Sequence, residues 1–124
     1  MNLILIVEDN ERNLKLVRDV LQVKGFSTIE AGTAEIGIEL AAERKPDLIL
    51  MDIQLPGMNG IDALKVLRGN PATAGIPVVA VTASVMQQDR TLITQAGFDG
   101  YIGKPINIRE FLESVNHALA KKTS

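Results

Sequence analysis

Three stretches of the chain, LILIV (3–7), DLILM (47–51) and PVVAV (77–81), run aliphatic without the polar alternation of a half-exposed strand. A continuous apolar run of this length fits a parallel strand covered on both faces. Both faces are covered only when helices lie on each side of the sheet, so these runs constrain the fold more than any other feature. FSTIE (26–30) and DGYI (99–102) are weaker strand candidates.

Between the runs lie segments of helical period. The spacing predicts a first helix over about 11 to 24, with Leu14, Val17 and Leu21 on its inner face and Gly25 at its exit. Thr33 is a candidate cap for a second helix reaching about Arg44, and Asn59 or Gly60 opens a third that Gly69 and Pro71 close. A fourth is predicted from about Ser84 to Ala96, ending at Gly97. Its apolar stripe is the least regular, since Asp89 interrupts Val85, Leu92 and Ala96. The last is the clearest, with Ile108, Phe111, Leu112, Val115, Ala118 and Leu119 recurring at three and four opposite Arg109, Glu110, Glu113 and Asn116. It is expected to run to about Ala120 and leave KKTS as a frayed tail.

Composition narrows the function classes. The 124 residues suit one domain with one core, and 46% hydrophobic against 3% aromatic content makes that core aliphatic. A net charge of −2 from 13 basic and 15 acidic residues supplies no basic field, so no nucleic-acid partner is expected. No cysteine is present, which removes disulfides, thiolate metal sites and a cysteine nucleophile. No apolar run is long enough for a membrane helix, because the first stops at Glu8. A cytoplasmic protein of one domain, spanning residues 1–124 with no output domain, is the expectation.

Alternating strands and helices predict an α/β fold with a doubly wound parallel sheet, right-handed crossovers and helices on both faces. Ligands of such sheets bind beyond the carboxyl ends of the strands. Glu8 and Asp9 follow strand one, Asp52 ends strand three, Thr82 ends strand four and Lys104 follows strand five. Polar groups from four strands therefore converge on one edge.

Carboxylates brought together repel, and each shifts toward protonation unless a cation sits among them. Magnesium, a hard ion that takes one or two carboxylates together with water and a phosphate oxygen, suits this set, with manganese as the substitute. Asp9 is expected to bind directly and Glu8 through water. Lys104 would add a positive charge and Thr82 a hydroxyl donor, both matched to phosphoryl oxygens. Asp52 is then the nucleophile, and attack on phosphorus yields an aspartyl-phosphate.

Taken singly, each residue has a plainer reading. Glu8 and Asp9 fit a solvated turn, Asp52 before IQLPG fits the start of a turn built on Pro56 and Gly57, Thr82 fits a helix cap and Lys104 a surface lysine. Jointly, those readings need independent loop residues to fall on one sheet edge by accident.

With LIVEDN, PDLILMDIQLPGMNG, PVVAVTA and YIGKP in place, the chain resembles the receiver domain of bacterial two-component response regulators over nearly its whole length. The resemblance implies a flavodoxin-like (βα)5 fold with strand order 2-1-3-4-5. It implies that Asp52 accepts the phosphoryl group, that Asp9, Asp52 and the backbone carbonyl of Gln54 bind magnesium with Glu8 acting through water, and that Thr82 and Lys104 contact the phosphoryl group. The Lys104–Pro105 bond is expected to be cis. A switch is also implied: Thr82 moves toward the phosphoryl group, Tyr101 rotates into the vacated space, and the face built from helix four, strand five and helix five changes shape. Many members carry Asp where this chain has Glu8, which keeps the charge.

MDIQLPG, IPVVAVTA and a closing KPI look most like the stand-alone regulators related to DivK of alphaproteobacterial cell-cycle signalling, and the same motifs occur in receivers attached to hybrid kinases. Similarity to them implies a histidine kinase or histidine phosphotransfer protein as donor, a downstream kinase or adaptor as reader, and a place in cell-cycle or cell-fate signalling. The chain would then be a phosphoacceptor that dephosphorylates slowly rather than an enzyme turning over substrate. Gln54 and Ser84 flank the expected path of the hydrolytic water. Two other readings compete. A magnesium-dependent phosphohydrolase of the haloacid dehalogenase type needs an acid two residues after its nucleophile, where this chain has Gln54. A phosphorylation-independent interaction module would have no need of Asp52, Thr82 and Lys104 together. His117 reads as a surface residue near a helix end, and Met51, Met58 and Met86 as packing or loop residues.

Overall fold

The structure is a computed structural model that describes residues 2–82 and 87–123. Five strands, β1 (Leu3–Val7), β2 (Ser27–Ala31), β3 (Leu48–Asp52), β4 (Val78–Thr82) and β5 (Gly100–Gly103), alternate with five helices, α1 (Glu11–Val23), α2 (Ala34–Arg44), α3 (Gly60–Gly69), α4 (Gln87–Ala96) and α5 (Ile108–Thr123). The strands form one parallel sheet in the order β2-β1-β3-β4-β5, the flavodoxin-like arrangement expected.

The reason the three aliphatic runs do not alternate is visible in how successive residues divide. Leu5, Val7, Ile49, Met51, Val78 and Ala80 face Ala34 and Ala41 of α2, Ala63, Leu64 and Leu67 of α3, and Ile93 of α4. Ile4, Ile6, Leu48, Leu50, Val79 and Val81 face Val17 and Leu21 of α1 and Phe111, Val115 and Ala118 of α5. The sheet is thus the middle of three layers, and its central strands meet water on neither face.

Helix starts follow side-chain caps. Asn10 Oδ1 accepts from the amides of Arg12 and Asn13, Thr33 Oγ1 from that of Ile36, and Asn59 Oδ1 from that of Asp62. At the end of α2, Lys45 adopts a left-handed conformation with φ of 46°. That conformation suits glycine, so Lys45→Gly should raise stability by up to about 1 kcal/mol, read as a higher denaturation midpoint with an unchanged slope.

Several boundaries differ from the sequence reading for identifiable reasons. Phe26 is not the first residue of β2: its amide still bonds to Leu21 O at 3.0 Å, inside the turn that leaves α1, and pairing begins with Ser27 opposite Leu3. Asp99 precedes β5 because its carboxylate accepts from the Val78 amide at 2.8 Å and from Arg68 at 3.0 Å, fixing the corner instead of extending the strand. α5 continues through Thr123, so most of KKTS is helical; neither Gly nor Pro interrupts it. Ile108, expected on the buried stripe, is 49% exposed in the first turn of that helix. On α4, Ala96 packs against the core as expected, but Leu92 is 57% exposed and Ile93 is buried in its place. Ser84, Val85 and Met86 lie outside the described residues.

Candidate functional site

The site forms where the strands end. Glu8 extends the β1–β2 ladder by one bond, its amide donating to Ala31 O at 3.0 Å. This leaves its side chain 4% exposed, while Asp9, one residue further, is solvent-exposed. The Asn10 amide donates to Glu8 Oε2 at 3.3 Å, so the turn into α1 also orients the carboxylate. Asp52, the last residue of β3, is 2% exposed, and Thr82, the last of β4, is equally buried. Lys104 follows β5, with its amide bonded to Thr82 O at 2.8 Å, and the Lys104–Pro105 bond is cis as expected.

These positions bring Glu8, Asp9, Asp52 and Lys104 together. Lys104 Nζ lies 3.0 Å from Glu8 Oε1 and 3.2 Å from Asp52 Oδ2, bridging the two buried carboxylates. The other oxygen of Asp52, Oδ1, accepts from the Gln54 amide at 2.9 Å. The expected metal ligand of Gln54 is its carbonyl; its amide already anchors the carboxylate. The sequence reading missed the Glu8–Lys104 pair, having reserved the lysine for a phosphoryl group. Tyr101 sits on β5 opposite Ala80, half-buried against the α2/α3/α4 side of the core, and at the sheet edge it lines a groove of about 650 Å³ with Asn107, Glu110 and His117 of the α5 side. That groove lies along β5 and α5 rather than at the acidic cluster.

One ammonium does not neutralise the cluster. Burial and the neighbouring Asp52 outweigh Lys104 and push the Glu8 carboxyl from 4.5 up to about 7. Burial works against the Lys104 ammonium too, but its bonds and charge interactions with Glu8 and Asp52 prevail and raise its pKa. Glu8, Asp9 and Asp52 each offer an oxygen within 4.8 Å of the others. Hard oxygen donors with excess negative charge fit a divalent ion such as magnesium.

The raised Glu8 value carries a sign. The folded protein holds this proton more tightly than the unfolded chain, so the stabilisation is complete below about pH 4.5 and is lost as pH rises through about 7. The metal-free protein should therefore lose more thermal stability between pH 5.5 and 8 than Glu8→Gln does. Parallel slopes for the two proteins in melting experiments would contradict this. Cation binding should release part of a proton near pH 7, seen as a dependence of calorimetric heat on buffer ionisation enthalpy.

Comparison with known proteins agrees with this geometry. Residues 4–116 match the response regulator receiver domain family. The polar-differentiation response regulator DivK of Brucella anthropi is 44% identical over 116 residues, which cover 94% of each chain. Among solved structures, a CheY-like receiver domain protein from Methanospirillum hungatei is 29% identical with a TM-score of 0.89, covering 99% of this chain and 97% of that one. The receiver domain of a sensor histidine kinase from Pseudomonas aeruginosa, solved with magnesium coordinated in its active-site cleft, is 28% identical with a TM-score of 0.88, covering 96% of this chain and 98% of that one. The parallel sheet in this order, the acidic cluster at its carboxyl edge and the match across most of the chain lead to one conclusion: the chain belongs to the response regulator receiver domain family.

Proposed function

We propose that the protein accepts a phosphoryl group on Asp52 from a phosphohistidine and signals by changing which proteins it binds. The supporting observation is the setting of Asp52, which is buried at the end of a central strand with one oxygen held by the Gln54 amide and the other facing Lys104. In the transfer, an Asp52 oxygen forms the new bond to phosphorus as the phosphorus–nitrogen bond breaks, and the electron pair leaves with the imidazole. The Lys104 ammonium and the Thr82 hydroxyl would bind phosphoryl oxygens. Asp9, Asp52 and the Gln54 carbonyl would hold magnesium, with Glu8 acting through water; when bound, the ion neutralises charge between carboxylate and phosphate. Manganese, which also prefers oxygen ligands, is the expected substitute.

Phosphorylation adds about −1.5 to −2 charges at the strand edge. Thr82 then moves toward the phosphoryl group, Tyr101 turns inward, and the α4, β5 and α5 face presents a different surface. The 44% identity to DivK supports a single receiver domain in a cytoplasmic phosphorelay linked to cell-cycle or cell-fate signalling. On this reading the donor is a histidine kinase or histidine phosphotransfer protein, the reader a kinase or adaptor, and neither nucleic acid nor membrane takes part. Among the described residues no helix is long and apolar enough to cross a membrane. Phosphate-affinity electrophoresis after mixing with a phosphorylated histidine phosphotransfer domain should show a retarded band for the wild type and none for Asp52→Asn. A band of equal intensity in the variant would reject Asp52 as acceptor.

A further inference from the structure

The loop that leaves Asp52 is closed by a residue outside the acidic cluster. Residues 53–59 connect β3 to α3, and the Gly60 amide donates to Ile53 O at 3.1 Å, joining the two ends of the loop. A Cβ at Gly60 would lie 2.6 Å from the Asp52 carbonyl oxygen, 2.9 Å from Ile53 Cα and 3.1 Å from Met51 Cγ. All three atoms belong to the segment that carries Asp52, and two are backbone atoms that no rotamer change can clear. Gly69 and Gly75 have nothing within 4 Å of the same position, so the crowding is not a general property of glycines in this stretch.

The parts around Gly60 cannot yield equally. β3 is paired with β1 on one side and β4 on the other, and Ala63, Leu64 and Leu67 fix α3 in the core. Strain introduced at residue 60 therefore falls on the backbone between Asp52 and Asn59. That backbone includes the Gln54 amide, which holds Asp52 Oδ1 at 2.9 Å, while Oδ2 lies 3.2 Å from Lys104 Nζ.

We infer that Gly60 is a positioning residue for the phosphoacceptor: the missing side chain lets α3 start against the end of β3, and that close approach sets the aim of the Asp52 carboxylate. The inference rests on Asp52 being the acceptor. No contact between Gly60 and the phosphoryl group is implied.

The test compares Gly60→Ala with Gly69→Ala, and with Val115→Ala as a folded but destabilised control from the opposite side of the sheet. Two quantities are read in the metal-free and magnesium-loaded proteins: the rate of phosphorylation by acetyl phosphate, corrected for folded fraction, and the amide proton shift and exchange protection of Gln54. The expected result is a Gly60→Ala rate at least tenfold below wild type, with the Gln54 amide losing its hydrogen-bonded shift, while both controls keep wild-type values. If Gly60→Ala keeps the rate and the Gln54 amide unchanged, or if Val115→Ala reproduces both losses, the inference is overturned. Should Gly60→Ala be largely unfolded, trimethylamine N-oxide restores the folded fraction and the same readings decide. If the wild type takes up no phosphoryl group, it is the acceptor reading that fails, and the Gln54 amide alone still decides whether Gly60 sets the aim of the carboxylate.

Discussion

Asp52→Asn should abolish magnesium-dependent phosphoryl uptake while leaving the protein folded and, above pH 7, slightly more stable. The amide keeps the size and planarity of the carboxylate, and its carbonyl oxygen still accepts from the Gln54 amide, which now lies 2.9 Å from Asp52 Oδ1. What is lost is the anionic nucleophile, without which no aspartyl-phosphate forms. What is gained is relief of a local repulsion. Asp52 holds the Glu8 carboxyl up, as an acceptor for its protonated form and through its charge, and removing it leaves a simple Glu8–Lys104 pair 3.0 Å apart. A stability increase of about 1 kcal/mol at pH 8 is the expected scale. Chemical denaturation gives the stability and intact-mass measurement the phosphorylation. A variant less stable than wild type at pH 8 would contradict the electrostatic part.

Lys104→Met should have the opposite effect on stability. Methionine keeps an unbranched apolar stem but removes the ammonium that bridges Glu8 and Asp52, which are 4% and 2% exposed. Leaving buried charge without its partner is strongly destabilising, and about 3 kcal/mol at pH 8 is expected. The loss depends on pH in a defined direction. Lys104 opposes the upward shift of the Glu8 carboxyl, so without it that group titrates higher still. At pH 5.5 it is neutral, less uncompensated charge remains, and the loss shrinks. Magnesium should stabilise the variant more than the wild type, since a divalent ion replaces the missing charge. Phosphoryl uptake should fall by on the order of a hundredfold, the usual cost of losing one positioned donor to a developing anion. Equal destabilisation at both pH values would show that the stem, not the charge, matters.

What could be read from the sequence follows from which interactions are local. Ile49, Leu50 and Met51 declare a strand buried on both faces, because burial removes every reason for a polar residue there. Asn10, Thr33 and Asn59 declare helix starts because the cap lies within three residues of the amides it serves. Asp52 and Lys104 could be placed on one edge from topology alone, since parallel strands all end on the same side. The partner of each charge could not, because it depends on side-chain reach across the sheet edge. Lys104 bridging Glu8 and Asp52 is a contact of that kind. So is the approach of Gly60 to the Asp52 carbonyl oxygen, which needs the loop closed before it exists. On α4 the buried position beside Ala96 is Ile93 rather than Leu92, because too few apolar residues fix the phase of so short a helix.

The most direct test of the central claim is to incubate the protein with acetyl phosphate, with and without magnesium, and then locate the modification by borohydride reduction and peptide mass analysis. Asp52 as phosphoacceptor predicts the gain of one phosphoryl group only when magnesium is present, with the reduced residue at Asp52 and no other. A folded protein that gains nothing, or that carries the label at another residue, would contradict it.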